Sequence, residues 1–170
     1  MDKMKRSTMD LVQVHNMQDC QTHIQSVKAL KRQGRVRYSG VTHYRDSAHE
    51  ELEKIVRAKT GDFVQFNYSI LSRHAEKRLL PVCRDSGVAV IINEPFEKGS
   101  LFRKVHQKKL PDWASALDIY NWAAFFLKYI VADEAVACVI PGTSEPAHMR
   151  DILSAANGAL PDKFTRKKMI

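Results

Sequence analysis

Five short runs rich in valine, isoleucine and phenylalanine recur along the chain, and their spacing constrains the fold more than any other feature. They are "DLVQVH" near 10–15, "RVRYSGV" near 35–41, "DFVQFNY" near 62–68, "GVAVIIN" near 87–93 and "VACVIPG" near 136–142. Short apolar runs bounded by turn residues read as strands of the fully buried kind. Successive runs start about 25 residues apart, with one longer interval after Asn93. Between them lie segments with apolar residues three and four apart. "THIQSVKALKRQG" predicts a helix stopped at Gly34, and "SAHEELEKIVRA" a helix capped by Asp46 or Ser47. Strand and helix alternating at this interval imply parallel strands joined by helical crossovers.

The long interval holds a loop, "EPFEKGSLFRKVHQKKLPD", and then "WASALDIYNWAAFFLKYIVA", which predicts one nearly all-round apolar, buried helix. This is an elaborated strand–helix unit, so residues 1–170 are expected to form a single domain. After the last strand, "SEPAHMRDILSAANG" predicts a helix with Pro146 in its first turn and Gly158 at its end, and "LPDKFTRKKMI" begins another.

Composition removes several function classes. With 44% hydrophobic and 27% charged residues the chain has an ordinary globular balance. The longest apolar stretch, residues 122–132, is interrupted by Lys128 and falls short of the roughly 20 residues that span a bilayer, so no membrane partner is expected. The opening residues 1–8 carry three cations with no apolar core behind them, so no secretory signal is expected and the cytoplasm is the expected location. Cys20, Cys83 and Cys138 lie in no paired spacing and are expected to be reduced core thiols. The net charge of +8 is carried mostly at helical spacing beside acids, which predicts a solvated surface and no nucleic-acid partner.

Parallel strand–helix units build either an open doubly wound sheet or a barrel, and both place ligands at the C-terminal ends of the strands. There stand His15 and Asn16, Thr42 and His43, Asn67 just past Gln65, Asn93 and Glu94, and Gly142, Thr143 and Ser144. Gln65 is an amide inside an apolar run, and must find either a ligand or an internal hydrogen bond. His15 taken alone reads as a structural histidine more readily than as a catalyst. The turn "IPGTSEP" offers backbone N–H groups and two hydroxyls to a phosphate, or ordinary caps to the helix that follows. No G-x-G-x-x-G and no G-x-x-x-x-G-K-[ST] occurs. His15, His43 and Glu94 end strands but form no tight ligand pair, so no metal is expected.

Taken together, "DLVQVHN", "LKRQGRVRYSGVTHY", "DFVQFNYS", "LLPVCRDSGVAVIINEPF" and "VACVIPGTSEP" resemble the C-terminal part of an aldo/keto reductase, in order and over nearly the whole chain. The resemblance implies an α/β fold, a partial TIM (β/α)8 barrel of about five parallel βα units matching strands four to eight. It implies an oxidoreductase that reduces a small-molecule carbonyl to an alcohol with NADPH, NADH being the alternative. His15 then matches the family's active-site histidine, which binds and polarises the carbonyl. Thr42 and His43 stand where the family usually has a Ser-Asn pair on the nicotinamide carboxamide, and Gln65 matches the glutamine sharing that task. Asn93 stands where many members stack a tyrosine on the nicotinamide. The loop 94–101 would cover the pyrophosphate. Gly142, Thr143, Ser144 and His148 fall in the segment that binds the adenosine phosphate, with Gly142 and His148 where lysine and arginine are commonest.

A complete barrel takes about 250 residues. The family's catalytic tyrosine, lysine and aspartate belong to its first three units, which precede the matched segments. The expectation is therefore an enzyme completed by another polypeptide or by self-association, either of which would cover the open strand edges. The alternative is a non-catalytic nucleotide-binding or interaction module, or a shortened, inactive relic.

Overall fold

The computed structural model describes residues 4–170, and its organising element is a five-stranded, wholly parallel sheet in the order β1-β2-β3-β4-β5. The strands are β1 (Met9–His15), β2 (Val36–Thr42), β3 (Phe63–Asn67), β4 (Ala89–Asn93) and β5 (Val136–Val139). All five lie on the runs read from the sequence, although β5 stops before Ile140 and Pro141. Sequential order without crossing is what right-handed helical crossovers produce. The crossovers are α1 (Cys20–Arg32), α2 (His49–Arg57), α3 (Leu79–Ser86), and the pair α4 (Ser100–Lys104) and α5 (Trp122–Val131). The helices α6 (Pro146–Leu153) and α7 (Lys163–Lys168) follow β5. The expectation for the opening residues falls in part on Met1–Lys3, outside the described residues.

The core lies between the sheet and its helices. In β3, Val64 and Phe66 are buried while Phe63, Gln65 and Asn67 are half-buried, the alternation that sends successive side chains to opposite faces. Leu52 of α2, Leu79 and Leu80 of α3 and Ile130 of α5 are fully buried in one cluster with Phe66, Val90 and Ile92. The opposite face of the sheet is more open: Tyr38, Cys138 and Ile140 are all exposed. Cys138 is therefore not a core thiol, and Cys20 is only half-buried; Cys83 alone of the three is buried, and burial pushes its thiol up to about 12.

Helix starts depart from the sequence reading in two places. Neither Asp46 nor Ser47 caps α2 through its side chain. Residues 46–48 form a 3-10 turn instead, and Asp46 lies 3.7 Å from both His49 and His74. The expected helix over 113–132 is divided: a 3-10 segment at Asp112–Leu117 ends at Asp118, whose φ is 53°, and α5 begins only after Asn121. The Asn121 side chain accepts from the Ala124 N–H at 2.7 Å, a cap that outcompetes continuation of the preceding turn. Gly34 (φ 70°) ends α1 as expected. Gly158 (φ 68°) lets the chain pass Asp118, because a Cβ there would meet the Asp118 carboxylate at 2.3 Å.

Candidate active site

Strand register decides which end residues meet. His15 is the partner of Thr42, and Thr42 is the partner of Gln65, so these three stand in one row across β1, β2 and β3. Two residues beyond Gln65, Asn67 is paired with Asn93 of β4. Gln65 then bridges strands: its Nε2 donates to Asn93 Oδ1 at 2.6 Å. The amide in the apolar run has found an internal partner, which fixes its rotamer and leaves its carbonyl oxygen without a side-chain partner among the described bonds. Asn67 Oδ1 beside it is buried with no hydrogen-bond partner.

The chain turns sharply after each catalytically placed strand. Asn16 and Met17 both have positive φ, 50° and 54°, so β1 stops at His15 and the imidazole is left exposed at its tip. Glu94 has φ 47°, and Glu97, Lys98 and Gly99 follow with 50°, 53° and 84°, folding residues 94–99 back over the end of β4. The Ser69 hydroxyl ties this loop to the end of β3 by donating to Glu97 Oε1 at 2.5 Å. His43 is turned toward its own loop: its Nδ1 accepts from the Arg45 N–H at 3.1 Å and its ring stacks on Tyr44 at 5.5 Å. Burial, then Arg45, then His15 hold His43 below the usual histidine range, so it is neutral at pH 7.

Beyond β4 opens a cavity of about 800 Å³. Gly142, Thr143 and His148 line it, as the sequence reading grouped them; Ser144 is exposed and does not. Thr143 is already used locally, its Oγ1 accepting from the Glu145 N–H at 3.1 Å. The opposite wall is aromatic: Phe102 and Trp122 line it, and Trp122 stacks on Phe126 at 5.7 Å. Sequence reasoning missed Trp122 because it sat inside the expected buried helix; the Asn121 cap, legible as an Asn before an apolar run, is the signal that would have placed it at a helix start. Asp151, the one acid within α6, was missed as well, because nothing in its local pattern marks it as facing the cavity. A smaller cavity of about 310 Å³ runs along the edge of β1 past Gln13, His15 and His23. Among the described residues no group of three or more His, Cys, Asp or Glu is arranged to hold a metal ion.

A row of polar side chains thus stands on the ends of the parallel strands, and a cavity with an aromatic wall opens beyond β4. The fold is thus a parallel α/β sheet of the barrel-forming kind, with polar side chains gathered at its C-terminal strand ends. Known proteins agree. The sequence profile of the aldo/keto reductase family matches residues 1–167, and the chain belongs to that family. It is 25% identical over 158 residues to an NADH-specific methylglyoxal reductase of Escherichia coli (strain K12), covering 78% of this chain and 48% of that protein. An uncharacterised oxidoreductase of Bacillus subtilis is 23% identical, with 91% and 57% covered. An aldo-keto reductase of Bacillus halodurans in its holo form superimposes with a TM-score of 0.76 at 20% identity, over 99% of this chain and 62% of that one. A Klebsiella pneumoniae aldo/keto reductase in complex with NADP and acetate gives 0.76 at 17% identity, over 99% and 60%. The chain spans about half the length of the curated relatives it matches.

Proposed function

We propose that this chain, folding as one domain, carries the cofactor-facing side of a reductase that converts a small-molecule carbonyl to an alcohol using NADPH or NADH. The observation that carries the reading is the register row His15–Thr42–Gln65, closed by the Gln65–Asn93 hydrogen bond, with the 800 Å³ cavity beginning at the next residue, Glu94. A reduced nicotinamide, when bound, supplies hydride to the carbonyl carbon. Gln65 presents its carbonyl oxygen, and Thr42 its hydroxyl, as partners for a carboxamide. His15 donates from its exposed imidazole to the substrate oxygen and orients it. Gly142, Thr143 and His148, which line the cavity, hold the adenosine end. The proton that completes the alcohol requires a general acid, a contribution of about 10²–10⁴-fold. We assign that acid to a segment that completes the sheet beyond β1 or β5. The free thiols of Cys20, Cys83 and Cys138 support placement in the reducing cytoplasm.

The second reading, a nucleotide-binding module without turnover, is favoured by His15 standing exposed on an edge strand with no side-chain hydrogen bond among the described residues. Calorimetric titration with NADPH and NADH, beside Gln65→Ala, tests the shared part of both. Saturable binding weakened about tenfold in the variant, the scale of one lost polar contact, is expected. Absence of binding in a folded sample overturns both readings. Adding a segment that carries the family's first three units separates them: carbonyl-dependent NAD(P)H oxidation that His15→Ala abolishes supports the reductase, and none supports the module.

A further inference from the structure

A buried polar cluster on the helix-covered side of the sheet joins four parts of the chain: Tyr68 just past β3, Glu76 in the 3-10 turn His74–Lys77, Tyr129 and Asp133 at the end of α5, and Arg166 of α7. Its centre is one oxygen. Glu76 Oε1 accepts from the hydroxyls of Tyr68 at 2.6 Å and Tyr129 at 2.5 Å, and from Arg166 Nη2 at 3.2 Å. The same Nη2 donates to the Tyr68 hydroxyl oxygen, while Nε donates to the Tyr129 carbonyl oxygen at 2.9 Å and Nη1 to Asp133 Oδ2 at 3.3 Å. The guanidinium also lies over the Tyr129 ring, 4.6 Å from its centroid. All three nitrogens of the fork are therefore in use, which the single point charge of a lysine could not reproduce. Burial, then the bond to Glu76, push the Tyr68 hydroxyl far above its usual range and that of Tyr129 up to about 12, so both stay protonated donors.

The cluster ends where the candidate site begins. Tyr68 follows Asn67 directly, and its N–H donates to the Asn93 carbonyl oxygen at 3.4 Å. Ser69, the next residue, carries the hydroxyl that holds the 94–99 loop through Glu97. Tyr68 thus stands between two bonds that join the end of β3 to β4 and its loop, Gln65 to Asn93 and Ser69 to Glu97. Its side chain is fully buried in the core with Phe66, on the face opposite Gln65 and Asn67, so the cluster fixes that strand end from behind. A shift of about 1 Å takes the 2.6 Å bond between Gln65 and Asn93 beyond hydrogen-bonding distance. The adenosine end is held elsewhere. On the α5 side the guanidinium meets Tyr129 and Asp133, whereas the α5 residues that line the large cavity are Trp122 and Ala123, at the other end of that helix.

We propose that Arg166 is a positioning residue for the nicotinamide: from the last helix it fixes the end of β3 through Tyr68 and Glu76, and with it the Gln65–Asn93 pair. The inference rests on the cofactor reading above. The test is calorimetric titration of the 170-residue chain with NADH and with ADP-ribose, which is the same molecule without its nicotinamide, repeated with Arg166→Met, Arg166→Lys and Tyr68→Phe. Circular dichroism verifies the fold of each variant, and Tyr68→Phe, which removes one hydroxyl and no volume, decides the matter if Arg166→Met does not fold. The parent is expected to bind NADH about tenfold tighter than ADP-ribose, the scale of one or two polar contacts to the ring. Arg166→Met and Tyr68→Phe should bring NADH within about twofold of ADP-ribose while ADP-ribose itself binds as before, and Arg166→Lys should recover part of the difference. A loss that falls equally on both ligands shows a merely structural role and overturns the proposal, as does an NADH advantage that both Arg166→Met and Tyr68→Phe, or Tyr68→Phe alone where Arg166→Met does not fold, leave in place; either outcome keeps the cofactor reading intact. A parent chain that binds NADH no tighter than ADP-ribose overturns the placement of the nicotinamide at the row, and no binding of either ligand overturns the cofactor reading; this inference falls with each.

Discussion

Replacing Lys128 with methionine should loosen both walls of the large cavity at once. Lys128 lies in the middle of α5 with none of its surface exposed. Its ammonium donates to the carbonyl oxygens of Leu117 and Asn157, and to that of Ala159 at 2.9 Å. Leu117 precedes the turn that presents Asn121 and Trp122, while residues 157–159 follow the 3-10 turn that ends α6. One side chain therefore fastens the aromatic wall to the α6 side. Burial holds the Lys128 pKa below the usual lysine range, and the Asp118 carboxylate opposes this only in part.

Methionine fills nearly the same space without a donor. Three bonds to a charged group are lost, each worth about 1.5–3 kcal/mol. Asn157 and Ala159 are in exposed residues, so their carbonyls return to water, whereas Leu117 is half-buried. Against these losses stands relief from desolvating an ammonium, several kcal/mol. The balance is a destabilisation of about 2–3 kcal/mol, which for a chain of this size lowers Tm by about 7 °C. Thermal and urea unfolding can be followed by tryptophan emission, since Trp113 and Trp122 both flank this joint. A Lys128→Met chain that melts at or above the parent temperature would refute the reasoning, by showing that an apolar core serves this joint better than the three carbonyl bonds.

Two further perturbations test other parts of the scaffold. His49 packs edge-on against Phe66 at 5.5 Å with Nε2 buried and unpartnered, and burial holds its pKa below the usual range; His74 and His43 add to this and Asp46 opposes it. The folded state thus prefers the neutral ring while the unfolded chain takes up a proton near 6.5, so this contribution is present above about pH 6.5 and is lost as pH falls through it. His49→Gln should flatten the unfolding free energy between about pH 7 and 5; an unchanged slope in urea titrations at those pH values counts against it. In β2, a Cβ at Gly40 would meet the Phe63 carbonyl oxygen at 2.8 Å and Gln13 Cγ at 3.1 Å. Gly40→Ala should cost about 1–3 kcal/mol and, by parting β2 from β3 beside Thr42, weaken nucleotide binding too; a urea midpoint equal to the parent's would sink this.

What the sequence made legible is what periodicity and punctuation encode. All five strands, the stop at Gly34 and Pro146 at the start of α6 follow from short-range patterns. The row of His15, Thr42 and Gln65 was legible only as three strand ends; its alignment depends on inter-strand register, which no single segment contains. The division of the expected helix at Asp118 was missed for a related reason. Apolar residues continue through it, and what stops it is a left-handed residue packed against Gly158, forty positions away. Cys138 looked like a core thiol because β5 reads as buried on both faces. It is exposed because its side chain points to the more open face of the sheet, where Tyr38 and Ile140 are exposed too.

That difference between the two faces of the sheet bears on how binding and turnover relate. The helix-covered face is closely filled, from Leu52 to Ile130, while on the other face Tyr38 and Ile140 remain exposed. The large cavity is lined entirely by residues that follow β4, with walls joined by Lys128 and by the Asn121 Nδ2 to Ser154 Oγ bond at 2.9 Å. His15 stands at the other end of the strand order, on β1. Nothing in the cavity's support passes through β1. Nucleotide binding should therefore survive edits to the β1 edge that disturb His15, whereas any step at the substrate carbonyl depends on what covers that edge. A chain whose nucleotide affinity collapses on His15→Ala would show that the two ends are coupled through the sheet, and that the row and the cavity act as a single site.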